Sequence, residues 1–475
     1  MLPRPESQDI DRSARLNTPR VPLPIHAPES RIRNFDEVFL PLTEDMAAAE
    51  AARCVHCPDP PCVRNCPLHP DIPLILWLTE HRDFRGAADL LARANNLFEV
   101  CSRVCPQLDL CESGCPHVEE GGKPVAIGRI AAFLSQKYRE GNGWHVARPA
   151  PTGHGIAVVG SGPAGLTVAD LLGRRGHRVT VFEQWPDGGG RLRYGIPRFK
   201  LDHRLVRERL EYLRNLGVEF VFDTRLGDCS GVDDLFALGF DAVFLGTGAG
   251  TPRRGGIPGA DLGGVYEASA FLVQANVEQN LRPSELEDPP EVGRRVVVVG
   301  GGDRALDCCR SALRLGASEV TCLYRRTQSE MPAHPRDRRL ARDEGVRFQW
   351  LVSPSRILGD GRGRVKGVEC MKTTLGAPDA SGRPAPEPVP GSDFQLSAET
   401  LILALGARAD SPLATHTPSL RIVEEGLVVV DPRNGRTTRE MVWAGGDNVL
   451  GPSLVPLAVA QARTAAADIH QKLSW

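Results

Sequence analysis

Neither sign of charge is in excess in this chain: 57 Lys and Arg stand against 59 Asp and Glu, for a formal net charge of -2. No overall field therefore draws it to nucleic acid or to an anionic membrane. No apolar run approaches the roughly 20 residues that span a bilayer. The opening stretch MLPRPESQDIDRSARLNTPR lacks the apolar core of a signal peptide. These absences argue against a membrane protein and a nucleic-acid binder, and we expect a cytoplasmic chain. The local basic run RDRRLARDEG (336–345) reads as a solvated helix face. At 475 residues, 41% of them hydrophobic, the chain has material for about three domains.

What is present is cysteine, 13 in all, of which eight fall in two bursts. A disulfide framework belongs mainly to small secreted domains, whereas a reducing compartment favours metal ligation. Cys54, Cys57, Cys62 and Cys66 run C-x2-C-x4-C-x3-C with Pro67 directly after. Cys101, Cys105, Cys111 and Cys115 follow, Pro106 and Pro116 again trailing a cysteine. Two four-thiolate sites suit zinc or iron–sulfur clusters, and the trailing prolines favour iron. Cys229, Cys308, Cys309, Cys322 and Cys370 are scattered and read as buried small hydrophobes.

Three blocks succeed one another. Up to about residue 145 the apolar spacing is helical, as in DIPLILWLTEHRDFRGAADLLARA, with no evident strand. The Pro- and Gly-rich HVARPAPTGHG (145–155) reads as a linker. Strand–glycine–helix patterning then begins, and two such units recur about 140 residues apart. The Pro-rich APDASGRPAPEPVPGSDF (377–394) reads as a surface loop or hairpin excursion.

In the first unit Gly160, Gly162 and Gly165, with Pro163 and Ala164 between them, follow the strand IAVV and open an apolar helix. The first glycine permits the turn, the second lets the backbone approach a pyrophosphate, and the third allows the helix to pack on the sheet. Glu183, 23 residues after Gly160, ends the next strand. A carboxylate there accepts from ribose hydroxyls and repels a 2′-phosphate, so this unit suits FAD or NAD, not NADP. The second unit has Gly300, Gly302 and Ala305, and its next strand ends in Arg325 and Arg326. Paired guanidinium groups suit a phosphate, so NADPH is expected there. Asp303 is unfavourable beside a pyrophosphate and fits better as a helix cap. Near the end, Gly445, Gly446 and Asp447 follow the strand MVW. That aspartate either binds a flavin's hydroxyls or caps the next helix. Hydride donors give electrons in pairs and iron–sulfur clusters take them singly; a flavin does both. These parts together read as a wire from NADPH through FAD to the thiols.

The stretches RIRNFDEVFLPLTEDMAAAEAARCVHC, GSGPAGLTVADLL, GGGRLRYGIPRFKL, GGGDRALDC, LYRRTQSEMP and AGGDNVLGPSLVPLAVAQARTAA, with the double burst, resemble the small-subunit family of NADPH-dependent glutamate synthase. The same module is similar to the N-terminal half of dihydropyrimidine dehydrogenase and to the large subunit of NADH-dependent ferredoxin:NADP oxidoreductases. The resemblance implies an α/β fold of two Rossmann-like dinucleotide-binding domains, one inserted in the other, preceded by an all-α iron–sulfur domain. The implied boundaries are 1–145 for the clusters, 153–285 with 406–475 for FAD, and 286–405 for NADPH. It implies Gly190, Arg191 and Leu192 against the isoalloxazine, Arg304 at the NADPH, and two 4Fe-4S clusters. One would use Cys66, Cys105, Cys111 and Cys115. The other would use Cys54, Cys57 and Cys62 with a Glu or Gln from the helix that reads AIGRIAAF here, where Ala131 stands instead. Either Cys101 takes that place or the cluster is solvent-ligated or lost. The implied partner is the glutamate synthase large (alpha) subunit; ferredoxin or another acceptor is the alternative. A zinc-stapled interaction module on a flavoprotein is the alternative of another class. Hydride transfer between stacked rings needs positioning groups and no acid–base catalyst.

Overall fold

A computed structural model describes residues 10–474, apart from 142, 145, 146, 229, 254, 380, 381, 410–415, 418 and 424. The first block is helical. Its main helices are Glu44–Ala51, Ile72–Glu80, Phe84–Ala94, Phe98–Val104 and Ile127–Glu140. Thr43, Asp71 and Asp83 start the first three by accepting the N–H of Met46, Leu74 and Gly86, each satisfying a donor that the helix leaves free. The spacing of Ile72, Ile75, Leu76 and Thr79 buries one face against a core with Ala47, Ala87, Phe98, Ile130 and Phe133. Among the described residues of this block, extended pairing is limited to an isolated bridge between Ile25 and Phe39.

The α/β part begins with β1 (Gly155–Val159), β2 (Arg178–Phe182), β3 (Glu219–Val221) and β4 (Ala242–Leu245). After β4 the chain leaves through β5 (Thr251–Pro252). It then builds β6 (Val265–Glu267), β7 (Arg295–Val299), β8 (Glu319–Tyr324), β9 (Arg347–Trp350), β10 (Val352–Gly359), β11 (Val365–Pro378), β12 (Pro384–Pro388), β13 (Phe394–Ser397) and β14 (Thr400–Leu403). It returns through β15 (Ala407–Arg408), antiparallel to β5, and ends its last strand at β16 (Val442–Ala444). The first sheet has the order β16-β4-β1-β2-β3 and the second β6-β14-β7-β8-β9, both parallel. Their central strands, IAVV and VVVV, are buried, as parallel strands covered on both faces must be. Leu97 and Val100 of the helical block share the first sheet's core with Val158, Val168 and Val459.

Two expectations need correcting. The stretch up to 285 was assigned to the first domain, yet β6 pairs with β14 in the second sheet. Phe271 and Leu272 of the following helix, Ala268–Asn276, likewise pack with Val296 and Val298. A three-residue edge strand has too short a period to read, and its partner lies at 400–403. The basic run is not a free solvated face: helix Pro335–Asp343 buries Asp337, Leu340 and Ala341. The linker is described only in part, since 145 and 146 lie outside the described residues. The excursion after 377 does form a hairpin strand, β12 on β11. Cys308, Cys309, Cys322 and Cys370 are fully buried; Cys229 lies outside the described residues.

Candidate functional site

Gly160 turns the chain at φ +97°, and a Cβ there would stand 2.4 Å from the Gly246 carbonyl oxygen. A Cβ on Gly165 would stand 1.9 Å from the Gly160 oxygen, so helix and strand approach as closely as backbone allows. Gly162 is different: a Cβ there meets nothing within 4 Å. Helix Pro163–Gly173 starts at this open edge with no side chain capping it, leaving its positive end for an anion. Two remote glycines line the same floor. Gly190, at φ +50°, lies with its Cβ direction 2.8 Å from the Gly162 Cα, and Gly446, at φ +88°, 3.1 Å from the Ala164 Cβ. The structure thus joins three sequence-distant expected segments at one turn.

Glu183 is buried just past β2, where one carboxylate oxygen accepts the Ser161 N–H at 2.9 Å and its hydroxyl at 2.5 Å. The other oxygen accepts the Trp185 N–H at 3.2 Å. Burial raises its pKa against these bonds. Leu192 packs inside the first core and its N–H is taken by Gly189, so its side chain builds the floor from beneath. Asp447 accepts from Ser453, N–H at 3.1 Å and hydroxyl at 2.7 Å. It does not cap helix Val455–Leu473, whose start at Leu454 has no side-chain cap. Burial lowers Arg191 to about 10, helped by the charge of Arg304 and opposed by that of Asp447. These three side chains therefore stand where the two units face each other.

The second turn repeats the first. Gly300, at φ +144°, would drive a Cβ to 2.4 Å from the Ala404 oxygen, and Gly302 is open. Helix Asp303–Arg314 again lacks a side-chain cap. Asp303 accepts the His334 N–H at 2.9 Å, tying down a neighbouring loop rather than capping its own helix. Arg304 donates to the Ser269 hydroxyl at 3.2 Å. The expected phosphate pair is split: Arg325 is exposed, whereas Arg326 is 1% exposed. Arg326 donates to the Pro384 oxygen at 2.6 Å and to Asp379 at 2.5 Å. Consecutive residues leaving a strand point to opposite sides, so only Arg325 presents its charge freely.

The eight thiols lie in two overlapping neighbourhoods, joined where Cys111 also comes within reach of Cys62. Cys54, Cys57, Cys62 and Cys115 lie within one another's electrostatic reach, and Cys66, Cys101, Cys105 and Cys111 form the other set. Cys115 therefore crosses to the first burst and Cys66 to the second. This proximity differs from the set of Cys66, Cys105, Cys111 and Cys115 that the resemblance implied. Ligand spacing along a chain does not say which loop folds back on which. Among the described residues no three His, Cys, Asp or Glu are drawn together as tightly as a single metal ion needs. A cubane, whose thiolates bind separate corners, takes a wider spread. Burial raises Cys54 to about 12 and Cys62 beyond it, and the neighbouring thiols add to both. Thiols raised in this way become thiolates together only if cations neutralise them, so the donor set suits a metal or iron–sulfur centre.

The sequence reading missed Lys200. It is buried between the first unit's loop and the second unit, 3.0 Å from Asp307 and 2.9 Å from Asp337. Burial works against its charge, yet the two carboxylates outweigh burial and hold its pKa above the usual range. A lysine between apolar neighbours in RFKL was the available signal.

The family model for dihydropyrimidine dehydrogenase domain II, 4Fe-4S cluster, matches residues 31–143, and that for pyridine nucleotide-disulphide oxidoreductase matches 154–462. The chain is 40% identical over 471 residues to the glutamate synthase [NADPH] small chain of Escherichia coli, covering 97% of each. It is 36% identical to the NADP(+)-dependent formate dehydrogenase subunit beta of Moorella thermoacetica, over 90% of this chain and 62% of that one. Mycobacterium tuberculosis FprA in complex with NADPH matches in fold over 68% of this chain and 84% of its own, at 21% identity and a TM-score of 0.55.

Proposed function

The chain belongs to the glutamate synthase small-chain family of pyridine nucleotide oxidoreductases, and from that premise we propose that it is the cytoplasmic electron-input subunit of such an enzyme. NADPH binds the second unit, FAD the first, and two 4Fe-4S clusters the helical block. A partner large subunit uses the electrons to make glutamate from glutamine and 2-oxoglutarate. Bound FAD supplies the conversion from a paired-electron donor to single-electron outlets.

The open backbone at Gly162 and the uncapped helix behind it suit FAD's pyrophosphate, and Glu183 suits its ribose. Gly302 and Arg325 offer the corresponding groups to NADPH and its 2′-phosphate. Arg191, Arg304 and Asp447 orient the two ring systems where the units meet. The observation that carries the reading is the intermediate position of the first unit. Its Arg191 feels Arg304 of the second unit on one side, and its core packs against Cys66 on the other. That supports an order of NADPH, FAD, the Cys66 set and then the Cys54 set.

The test is anaerobic turnover of the complex taken from its native cell with NADPH, glutamine and 2-oxoglutarate. Two glutamates per NADPH is the expected result. Dye reduction without glutamate would move the far end of the wire to another acceptor, as the formate dehydrogenase relative suggests. Zinc in place of iron would end the wire itself.

A further inference from the structure

Resting on the proposed reduction of FAD by NADPH across the two units, we propose that Phe199 is a positioning residue for that step and that residues 26–40 are the strap that holds it in place. The chain passes between the units through β5 and β15, two residues each, a ribbon too short to fix an angle by itself. Phe199 comes from the loop that follows the floor at 190–192 and is 1% exposed. Its ring centre lies 4.0 Å from the Arg314 guanidinium and 4.5 Å from that of Arg310. Both arginines belong to helix Asp303–Arg314, which starts at the second turn, and Glu344 of the same unit holds them at 2.7 and 2.8 Å. The neighbouring Lys200 meets Asp307 of that helix at 3.0 Å. Residues 307, 310 and 314 share one helix face, so a single loop of the first unit grips the helix along that face. A tilt there swings the Gly302 seat at the helix's other end.

The strap fastens this loop to the rest of the molecule. Val38 donates its N–H to the Phe199 carbonyl at 3.0 Å, and its buried side chain packs with Phe199 and with Leu340 of helix Pro335–Asp343. The Phe35 ring centre lies 6.3 Å from that of Phe199. Arg31 donates to the His26 carbonyl at 2.6 Å and stands 3.6 Å from Glu344, the carboxylate that holds Arg310 and Arg314. One carboxylate oxygen of Glu37 accepts from Arg103 of helix Phe98–Val104 at 2.7 Å and from the Asp202 N–H at 3.0 Å. Residues 31–38 thus bind all three blocks of the chain. The strap's contacts lie by the last turns of helix Asp303–Arg314, away from Gly302. Loosening them should leave both nucleotide seats intact and change the angle between them. Transfer between stacked rings depends steeply on that angle, since a displacement of about 1 Å can slow a reaction roughly a hundredfold.

The experiment uses the full chain purified without oxygen, as wild type, Glu37→Ala, Phe199→Leu and a control, Asp36→Ala, which changes an exposed neighbour. Three quantities are read: the NADP+ dissociation constant, the stopped-flow rate at which NADPH reduces bound FAD, and amide hydrogen exchange in peptides covering 31–40 and 198–205. Glu37→Ala and Phe199→Leu should slow FAD reduction about tenfold or more while changing NADP+ binding less than about twofold. Exchange in both peptides should speed up. Asp36→Ala should match wild type throughout. Should Phe199→Leu lose its flavin, Glu37→Ala decides, because its side chain is partly exposed and its loss leaves no buried hole. A reduction rate matching wild type in Glu37→Ala overturns the proposal. So does a loss of NADP+ binding as large as the loss of rate, which is what a merely structural role would give. Unchanged exchange in both variants overturns the strap whatever the rates. A wild-type flavin that NADPH leaves oxidised overturns the reading on which the proposal rests, and exchange alone then shows whether the strap holds the loop.

Discussion

The two glycine turns are built alike and end differently. Both follow a buried central strand of a five-stranded parallel sheet, both crowd their first glycine against a carbonyl, and both leave the second open. They part at the end of the next strand. Glu183 is held among donors within its own turn, whereas Arg325 stands free and Arg326 is clasped by Asp379 on the hairpin of β11 and β12. In the proposed reading the turn offers a pyrophosphate seat by backbone alone, and a few side chains at the strand end choose the nucleotide.

The largest effect should come from separating the two units. Lys200→Met leaves Asp307 and Asp337 buried without their cation, which should cost about 3–5 kcal/mol. Thermal unfolding monitored by flavin release would show it; an unchanged midpoint would mean that the units are held elsewhere. Burial raises Asp307 to about 6, with Lys200 opposing and Asp337 and Asp303 adding to the rise. Its folded pKa lies above the ordinary aspartate value of about 3.9. The stability gained by keeping it protonated is therefore full below about pH 4 and lost as pH rises through about 6. Asp307→Asn should flatten that limb of the stability profile.

Next comes the crowded third glycine. Gly165→Ala has no room, its Cβ meeting the Gly160 oxygen. It should cost about 1–3 kcal/mol and release flavin. The second unit already carries Ala305 there, fully buried. Ala305→Gly should cost only about 1 kcal/mol of helix propensity. Equal losses in melting temperature for the two variants would show that the third position is no more crowded in the first turn than in the second.

The turns, the thiol bursts and the helical spacing were legible because each is local: a glycine, a cysteine or an apolar stripe acts within a few residues. What escaped is set by contacts across the chain. Arg325 and Arg326 read as one phosphate clamp because their sequence neighbours do not reveal Asp379, 53 residues away. Cys115 and Cys66 exchange bursts because the fold, not the spacing, decides which loops meet. The β6 boundary failed for the same reason. Lys200 does not reveal its role until two helices of the second unit bring Asp307 and Asp337 to it.

The split arginines sharpen the comparison with Glu183. Arg325→Ala should raise the KM for NADPH roughly tenfold, the loss of one hydrogen-bonded charge pair, and leave NADH nearly unchanged. Arg326→Ala should cost hairpin stability more than selectivity. Equal effects on both coenzymes from Arg325→Ala would remove the phosphate from this edge of the sheet.

The smallest effect tests the clasp itself. Asp379 accepts from Arg326 while its backbone closes the hairpin turn, N–H to the Arg383 carbonyl at 2.8 Å. Asp379→Asn keeps the shape and the turn but removes the charge that competes with a phosphate for the guanidinium. A partly exposed pair is worth about 0–1 kcal/mol, so the KM for NADPH should fall by at most several-fold, with NADH unmoved. If it rises instead, Asp379 serves to aim Arg326 at the phosphate rather than to withhold it. The second unit would then select its coenzyme by a positioned pair, as the first does with Glu183 and Ser161, and the difference between the two strand ends would lie in charge alone.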